Sequence, residues 1–253
     1  MTEVELKALP LLRALPASSR AELLQNAVVH AVTSGTVLFE QGELPTFQHV
    51  ILAGSVRLLG RSSAGREVLI EVVEPPELVI PAAVTTGSPY LMRARVPEPS
   101  RLLLIHADVF RGLVRREPLL AQEVISSLAA QFRRLVRQVK NLKLRNGTER
   151  VGCYLLLLSK RQGTPHRAIL PYEKNLIASE LGMTRESFSR ALLALQAEGV
   201  TVQDETITIR DAKRLANASG LDPLIDGPES SLPWADATST SPPGKLRSRR
   251  SHG

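Results

Sequence analysis

The residues with the clearest chemical potential lie between positions 184 and 190, where the chain reads TRESFSR. In a helix, Glu186, Ser189 and Arg190 share one face, because residues three and four positions apart are neighbours. Arginine can donate two hydrogen bonds to guanine O6 and N7, and glutamate can accept one from cytosine N4. Arg185 suits either a phosphate or a second base. The candidate residues for contact with nucleic acid are Thr184, Arg185, Glu186, Ser189 and Arg190.

The stretch from Glu173 to Leu195 predicts the elements that would position this face, two short helices joined by a tight turn. Gly182 can adopt the positive φ that the turn requires, and the hydroxyl of Thr184 can cap the second helix. An apolar inner side is formed by Ile177, Ala178, Leu181, Phe188, Leu192 and Leu195. A helix-turn-helix places its second helix in the major groove of DNA. The same pattern also fits an ordinary helical hairpin with a solvated outer side.

The segments on either side complete a winged-helix pattern. Two alternating runs, Thr201-Val202 and Thr206–Ile209, flank Gln203-Asp204-Glu205 and predict a small hairpin. Before the two helices, a helix from about residue 148 to 159 carries an apolar VGCYLLLL run that we expect in the core. We interpret Cys153 within it as a buried small hydrophobe, with a redox-sensing thiol as the alternative.

Residues 32–107 have a different periodicity, in which short runs rich in Val, Leu and Ile alternate with turn residues. Such runs at near-regular spacing predict an antiparallel β-sandwich or barrel. Residues 5–28 before them have helical character, with Ser19 and Glu22 spaced as a capping box. The predicted strands are Thr36–Glu40, Phe47–Ala53, Ser55–Gly60, Arg66–Val73, Glu77–Val84, Tyr90–Val96 and Arg101–His106.

From Pro118 the periodicity is helical, and a coiled-coil type of apolar seam runs along the predicted helix. It consists of two sets with a seven-residue repeat, Ile125, Phe132 and Val139 and, three positions later, Leu128, Leu135 and Leu142. We interpret the seam as a parallel dimer interface. The alternative is that it packs on the chain's own barrel.

These patterns predict an α+β chain with four parts: an antiparallel β jelly-roll domain with N-terminal helices at 1–117, a dimerisation helix at 118–145, a winged helix-turn-helix domain at 146–220 and a tail at 221–253. The tail is rich in Pro, Ser, Thr and Gly and ends in a basic run. We expect it to be disordered, because it cannot bury enough apolar surface to become ordered.

Composition narrows the class of protein further. The chain has 253 residues and a net charge of +7, which suits an anionic partner. Its one cysteine excludes an intramolecular disulfide and a cluster held by several cysteines. We recognise neither a secretory signal nor an apolar run long enough to cross a bilayer, so we expect a cytoplasmic protein. We find no metalloprotease, serine-hydrolase or phosphate-loop motif, so we do not expect an enzyme.

The order of these parts resembles the family of bacterial one-component regulators that includes the catabolite activator protein and the oxygen regulator FNR. GTVLFEQGE at 35–43 resembles the family's first barrel strand and turn, LAGSVRL at 52–58 its G-x-V hairpin, and TRESFSR its recognition helix. The resemblance covers residues 10–218. It implies a cyclic-nucleotide-binding-like sensor barrel, a homodimer, and DNA-binding domains that are repositioned across the dimer helices.

The E-x-x-S-R pattern of Glu186, Ser189 and Arg190 resembles the FNR-like branch of this family and implies a palindrome of TTGAT-type half-sites. The resemblance also implies double-stranded DNA and RNA polymerase as partners, and an activator of transcription. The sequence LPYEKNLIASELGMTRESFSRAL is similar to that of denitrification regulators that respond to nitric oxide. Nitric oxide or low oxygen is therefore the expected signal.

The sequence departs from the family at the positions that bind known effectors. Ile80-Pro81 replaces the Gly-Glu pair of cyclic-nucleotide binders, and Ser88-Pro89 replaces their Arg-Ser pair. We therefore do not expect cyclic AMP, because a buried phosphate without its arginine is costly. The single Cys153 also excludes an FNR-type iron–sulfur cluster. A haem, which commonly takes a histidine ligand, remains open. The histidines are His30, His49, His106, His166 and His252, and we assign none of them as a ligand.

Two alternatives remain at this point. A regulator of the same family would need no effector if abundance or oxidation of Cys153 controlled it. A barrel-based ligand-binding protein or enzyme is the alternative from another class, but it leaves the candidate recognition helix unexplained.

Overall fold

The computed structural model describes residues 9–13, 15–61, 65 and 67–227, and the structural statements below concern these residues. Two short helices, α1 (Pro10–Arg13) and α2 (Ala17–Gln25), lead into a β-domain. Its strands are β1 (Ala27–Val32), β2 (Val37–Phe39), β3 (Phe47–Ala53), β4 (Val56–Arg61), β5 (Glu67–Val73), β6 (Leu78–Val79), β7 (Arg93–Arg95) and β8 (Ser100–His106), with helix α3 (Pro81–Thr86) between β6 and β7.

The strands form two four-stranded sheets, ordered β1-β8-β3-β6 and β2-β7-β4-β5. Each strand pairing is antiparallel. Apolar side chains from both sheets form a shared core, for example Ile51, Val56, Val79 and Leu102, all below 1% exposed. The predicted antiparallel β-sandwich is therefore confirmed.

Three predictions about this domain were wrong in detail. The predicted helical stretch 5–28 ends earlier, because Ala27 already begins β1. The predicted strand Glu77–Val84 is mostly not a strand, because Ile80 has a left-handed φ of 42° and Pro81 begins α3. Proline suits a helix start, where its missing N–H costs nothing. The predicted capping box is absent, because Ser19 donates to Glu117 instead.

Two further helices follow, α4 (Ala107–Arg116) and the 27-residue α5 (Pro118–Leu144). The first half of α5 packs on the β-domain through Leu120 and Val124, which join a second core with Val50, Leu103 and Phe110. The predicted seam lies mostly outside that core. Leu128 packs against the core, whereas the other seam residues are between 41% and 67% exposed: Ile125, Phe132, Leu135, Val139 and Leu142.

The C-terminal domain has the predicted winged helix-turn-helix order. Its elements are α6 (Gly147–Arg161), β9 (Arg167–Ile169), α7 (Lys174–Glu180), α8 (Arg185–Ala194), a 3₁₀ turn (Leu195–Glu198), β10 (Val200–Gln203), β11 (Thr206–Ile209), α9 (Ala212–Ala218) and α10 (Pro223–Asp226). The core contains Val151, Ile177, Phe188, Ile207 and Leu215, each fully buried.

The last described residues depart from the predicted tail. Residues 221–227 include α10, where Ile225 is buried and Asp226 pairs with Arg145 at the end of α5. The two paired side chains are each 5% exposed, and Arg145 Nη1 donates to Asp226 Oδ1 at 2.9 Å. The ordered part therefore extends at least to Gly227, and the rest of the predicted tail lies outside the described residues.

We expect Asp226→Asn to lower the free energy of unfolding by about 3 kcal/mol, because it leaves the buried Arg145 guanidinium without its charge partner. Urea unfolding followed by circular dichroism measures this change. The matched control is Glu198→Gln, which breaks a more exposed ion pair with Arg214 and should cost less than about 1 kcal/mol. Equal losses in the two variants would contradict the anchoring role of α10.

Candidate nucleic-acid interface and sensor domain

The candidate contact residues lie at the first turns of α8. Thr184 is the N-cap of this helix, as predicted, and its hydroxyl accepts a hydrogen bond from the Ser187 N–H at 3.2 Å. Thr184, Arg185, Glu186 and Arg190 are exposed, and Ser189 is half-buried. Glu186 and Arg190 lie opposite the buried Phe188 and Leu192, and the other three candidates border this accessible face.

Local hydrogen bonds orient the two charged side chains most suited to base contact. Arg190 Nη2 donates to Ser187 Oγ at 3.2 Å, which ties the guanidinium back along the helix. A hydrogen bond from its own backbone N–H, followed by one from Thr184, lowers the pKa of Glu186. Glu186 is therefore ionised at neutral pH and can act as an acceptor. Ser187 was not among the candidates, although its position three residues before Arg190 is a usable signal.

The turn between α7 and α8 is packed tightly against α5. Gly182 has a φ of +64°, and a Cβ at this position would lie 2.6 Å from Leu142 Cδ2. The left-handed backbone therefore favours glycine here, and any larger residue would also have to displace the Leu142 methyl group. The side chain of Leu142, predicted only as a seam residue, also contacts the DNA-binding domain of its own chain.

α7 is docked on the edge strand β5 of the β-domain. Ile70 is an extra residue in β5, since Leu69 and Glu71 pair with the consecutive residues Leu59 and Leu58 of β4. The Leu69 N–H donates to Ser179 Oγ at 3.1 Å. Nearby, the Arg57 guanidinium lies 5.5 Å from the centre of the Tyr172 ring, which is within range of a cation–π contact.

The interior of the β-domain is filled by aromatic and apolar side chains. Phe39 and Tyr90 are stacked with their ring centres 3.6 Å apart, and His49 lies 5.6 Å from Phe39. His49 is buried, its Nδ1 has no hydrogen-bond partner, and burial lowers its pKa to about 4. The imidazole is therefore neutral at physiological pH. The remaining described histidines, His30, His106 and His166, are exposed.

Cys153 lies in α6, where it is buried and donates to the C=O of Ser219 at 3.3 Å. Burial raises the pKa of its thiol to about 12, so the reactive thiolate is scarce at neutral pH. These features favour the interpretation of Cys153 as a small core residue over that of a redox sensor.

The described residues contain no cluster of three or more His, Cys, Asp or Glu side chains arranged to hold a metal ion. Within this same part of the chain, each helix is too short or too polar to span a bilayer.

Comparison with known proteins agrees with this architecture. Residues 29–117 match the model of the cyclic nucleotide-binding domain, and residues 149–218 match that of the Crp-like helix-turn-helix domain. The cyclic AMP receptor protein of Thermus thermophilus is 30% identical over 183 residues, which cover 72% of this chain and 83% of that protein. The anaerobic regulatory protein of Aggregatibacter actinomycetemcomitans is 27% identical over 195 residues, 75% of each chain.

A solved structure shows the same fold. FixK2 from Bradyrhizobium japonicum superposes with a TM-score of 0.63 at 21% identity, covering 76% of this chain and 96% of that chain. The fold and the exposed helix α8 define a transcription regulator with a DNA-binding helix-turn-helix. The chain belongs to the CRP/FNR family of transcription regulators.

We expect Ser179→Ala to loosen the docking of α7, because the Leu69 N–H on the edge of β5 loses its acceptor. The loss of one such hydrogen bond costs about 1 kcal/mol, so exchange of the Leu69 amide hydrogen should become roughly fivefold faster. Hydrogen exchange followed by NMR measures this rate. Ser34→Ala is the matched control, since Ser34 bonds only within the β-domain, to Pro97, and should leave Leu69 unchanged. An unaltered Leu69 rate in Ser179→Ala would contradict the docking contact.

Proposed function

We propose that this chain is a homodimeric activator of transcription that recognises a palindrome of TTGAT-type half-sites and responds to nitric oxide or low oxygen rather than to cyclic AMP. The observation that carries the proposal is the exposed face of α8, on which Glu186 and Arg190 stand four residues apart. DNA and RNA polymerase are the proposed partners, and the cytoplasm the proposed location.

The base contacts follow from the chemistry of this face. Arg190 can donate two hydrogen bonds to guanine, and ionised Glu186 can accept one from the cytosine amino group of the same pair. Ser189 lies beside Glu186 on the helix, where a short side chain leaves room for a thymine edge. Thr184 and Arg185 stand at the N-terminal end of α8, the end that lies closest to the bases in helix-turn-helix complexes.

The dimer is supported by the exposed seam of α5. Phe132, with 67% of its surface exposed, and its seam neighbours form a continuous apolar strip on the helix side that faces away from the β-domain. Contiguous exposed apolar surface of this kind marks an interaction site. The seven-residue repeat favours a second copy of the same helix as the partner, and a two-fold dimer would in turn match a palindromic site.

The residues of the β-domain support the proposal that cyclic AMP is not the effector. Ile80 and Pro81 stand where the family's ribose-binding Gly-Glu pair would lie, and Pro81 begins a short helix. The stacked rings of Phe39 and Tyr90 fill the interior of the domain. A nucleotide would therefore lack the charged partners of that pair and would meet packed aromatic rings, which supports the exclusion of cyclic AMP.

A haem ligand is not evident among the described histidines. His49 is the described histidine with a buried free nitrogen, but the rings of Phe39 and Phe47 lie 5.6 and 6.5 Å from its own ring. These contacts make His49 part of an aromatic cluster in the core, so we propose no haem ligand. The name of the anaerobic relative and the E-x-x-S-R pattern remain the support for a signal related to oxygen or nitric oxide.

The packed interior also favours a second candidate, a regulator that needs no effector. Burial of Cys153 argues against control by thiol oxidation, which leaves control by abundance. Purified protein distinguishes the two candidates. Operator binding that changes under nitric oxide supports the sensor, whereas unchanged full-strength binding without effector supports the second candidate.

We expect Glu186→Gln and Arg190→Lys to relax the base preference at the guanine–cytosine pair of each half-site, because one good contact contributes about 1–3 kcal/mol of discrimination. Competition binding with duplexes altered at that pair measures the preference. Arg115→Lys on the exposed side of α4 is the control and should bind like the parent. An unchanged preference in both variants would disprove the assigned role of α8.

We expect Phe132→Glu to convert the dimer into a monomer, because it places a charge in each copy at the centre of the seam. Sedimentation at micromolar concentration measures the mass, and affinity for the palindrome should fall with it. Gln122→Glu is the matched control, since it adds the same charge to α5 outside the seam repeat. A Phe132→Glu protein that stays dimeric would place the interface elsewhere.

A further inference from the structure

Both residues at the tip of the hairpin behind α8 are acidic. Gln203 at the end of β10 pairs with Thr206 at the start of β11, so Asp204 and Glu205 form a two-residue turn. Both side chains are exposed. Asp204 has a φ of 55°, a left-handed conformation that Asp and Asn tolerate better than most residues.

This acidic turn is held next to the recognition helix. The Leu170 N–H donates to the C=O of Glu205 at 2.9 Å, which ties the turn to the segment leading into α7. The turn, that segment, Lys174 and Asn175 at the start of α7, and Arg185 line one groove of about 370 Å³. Arg185 is the first residue of α8, so the acidic turn and the N-terminal end of the helix proposed to bind DNA border the same groove.

We propose that Asp204 and Glu205 restrain DNA affinity by holding negative charge against the phosphate backbone that flanks α8. The inference rests on the proposed function, because it requires α8 to enter the major groove. A helix in that groove has a phosphate backbone on each side, and the hairpin beside its N-terminal end faces one of them. A basic residue at this tip would attract the backbone, whereas these carboxylates repel it.

The effect is independent of base sequence. The net charge of +7 draws the chain to any duplex, since phosphate contacts supply most of non-specific binding. Two carboxylates near a phosphate weaken that attraction on every sequence alike and leave the base contacts of Glu186 and Arg190 intact. Because the Debye length is about 10 Å at 0.1 M salt, the repulsion is strongest at low salt.

The shared groove also suggests what the carboxylates would do if they did not face DNA. They would then hold the Arg185 guanidinium in place for a contact of its own, and removing their charge would weaken binding. The two roles therefore predict opposite signs for the same substitutions.

The test uses the full chain with Asp204→Asn and Glu205→Gln, singly and together. Asn is compatible with the left-handed turn, and both changes preserve side-chain size, so folding is maintained. Fluorescence anisotropy measures Kd for a TTGAT palindrome and for a scrambled duplex at about 50 and 200 mM salt. Asp108→Asn on α4, where 93% of the side chain is exposed, is the control with the same gain in net charge as either single variant.

We expect the double variant to bind both duplexes about 5- to 20-fold tighter at the lower salt, with most of the gain lost at the higher salt because of screening. Asp108→Asn should stay within about twofold of the parent, since its charge lies on α4 and outside the DNA-binding domain. An unchanged or weaker affinity of the double variant, or an equal gain in Asp108→Asn, would overturn the inference.

The inference and the proposed function fail separately. Loss of operator preference is measured on the parent protein and would count against the recognition assignment. The effect of the acidic turn is measured as the ratio of variant to parent affinity on the scrambled duplex, which contains no half-site.

Discussion

The outer edge of strand β5 has backbone groups that no further strand satisfies, and the rest of the architecture is built against this edge. The extra residue at Ile70 turns neighbouring polar groups outward. One of these groups, the Leu69 N–H, donates to Ser179 Oγ of the DNA-binding domain. The other group, the Ile70 C=O, accepts a hydrogen bond from Gln138 Nε2 of helix α5 at 3.1 Å. An exposed strand edge invites unwanted pairing, and here it is covered by two helices instead.

This junction connects the three functional parts of the chain through polar contacts. Arg134 of α5 adds an ion pair with Glu71 of β5, at 2.8 Å, and Arg57 of β4 contacts Tyr172 of the DNA-binding domain. Single contacts of these kinds contribute modestly to stability, because water competes for the same groups. Each domain also has an apolar core of its own. The contacts across the junction can therefore be changed by substitution without removing the core of either domain.

The sequence predicted those parts of the structure that follow from local patterns. Alternation gave the β-domain, and the small and apolar residues around Gly182 gave the helix-turn-helix, because burial of one side imposes a period on the sequence. The strand prediction from the sequence failed at Ile80-Pro81, where a helix starts inside an apolar run. The tail prediction also failed at Asp226, whose partner Arg145 is 81 residues away. Contacts such as those of Ser179 and Leu142 join distant segments and leave no local periodicity.

The burial of Cys153 gives this chain an internal chemical probe. It is the one thiol in the sequence, and in the folded domain it lies between α6 and the C=O of Ser219. A thiol-specific reagent can therefore label the protein only after this part of the domain opens. The labelling rate would report how fast this part of the domain opens. Comparing free protein with protein on DNA would show whether the duplex slows that opening.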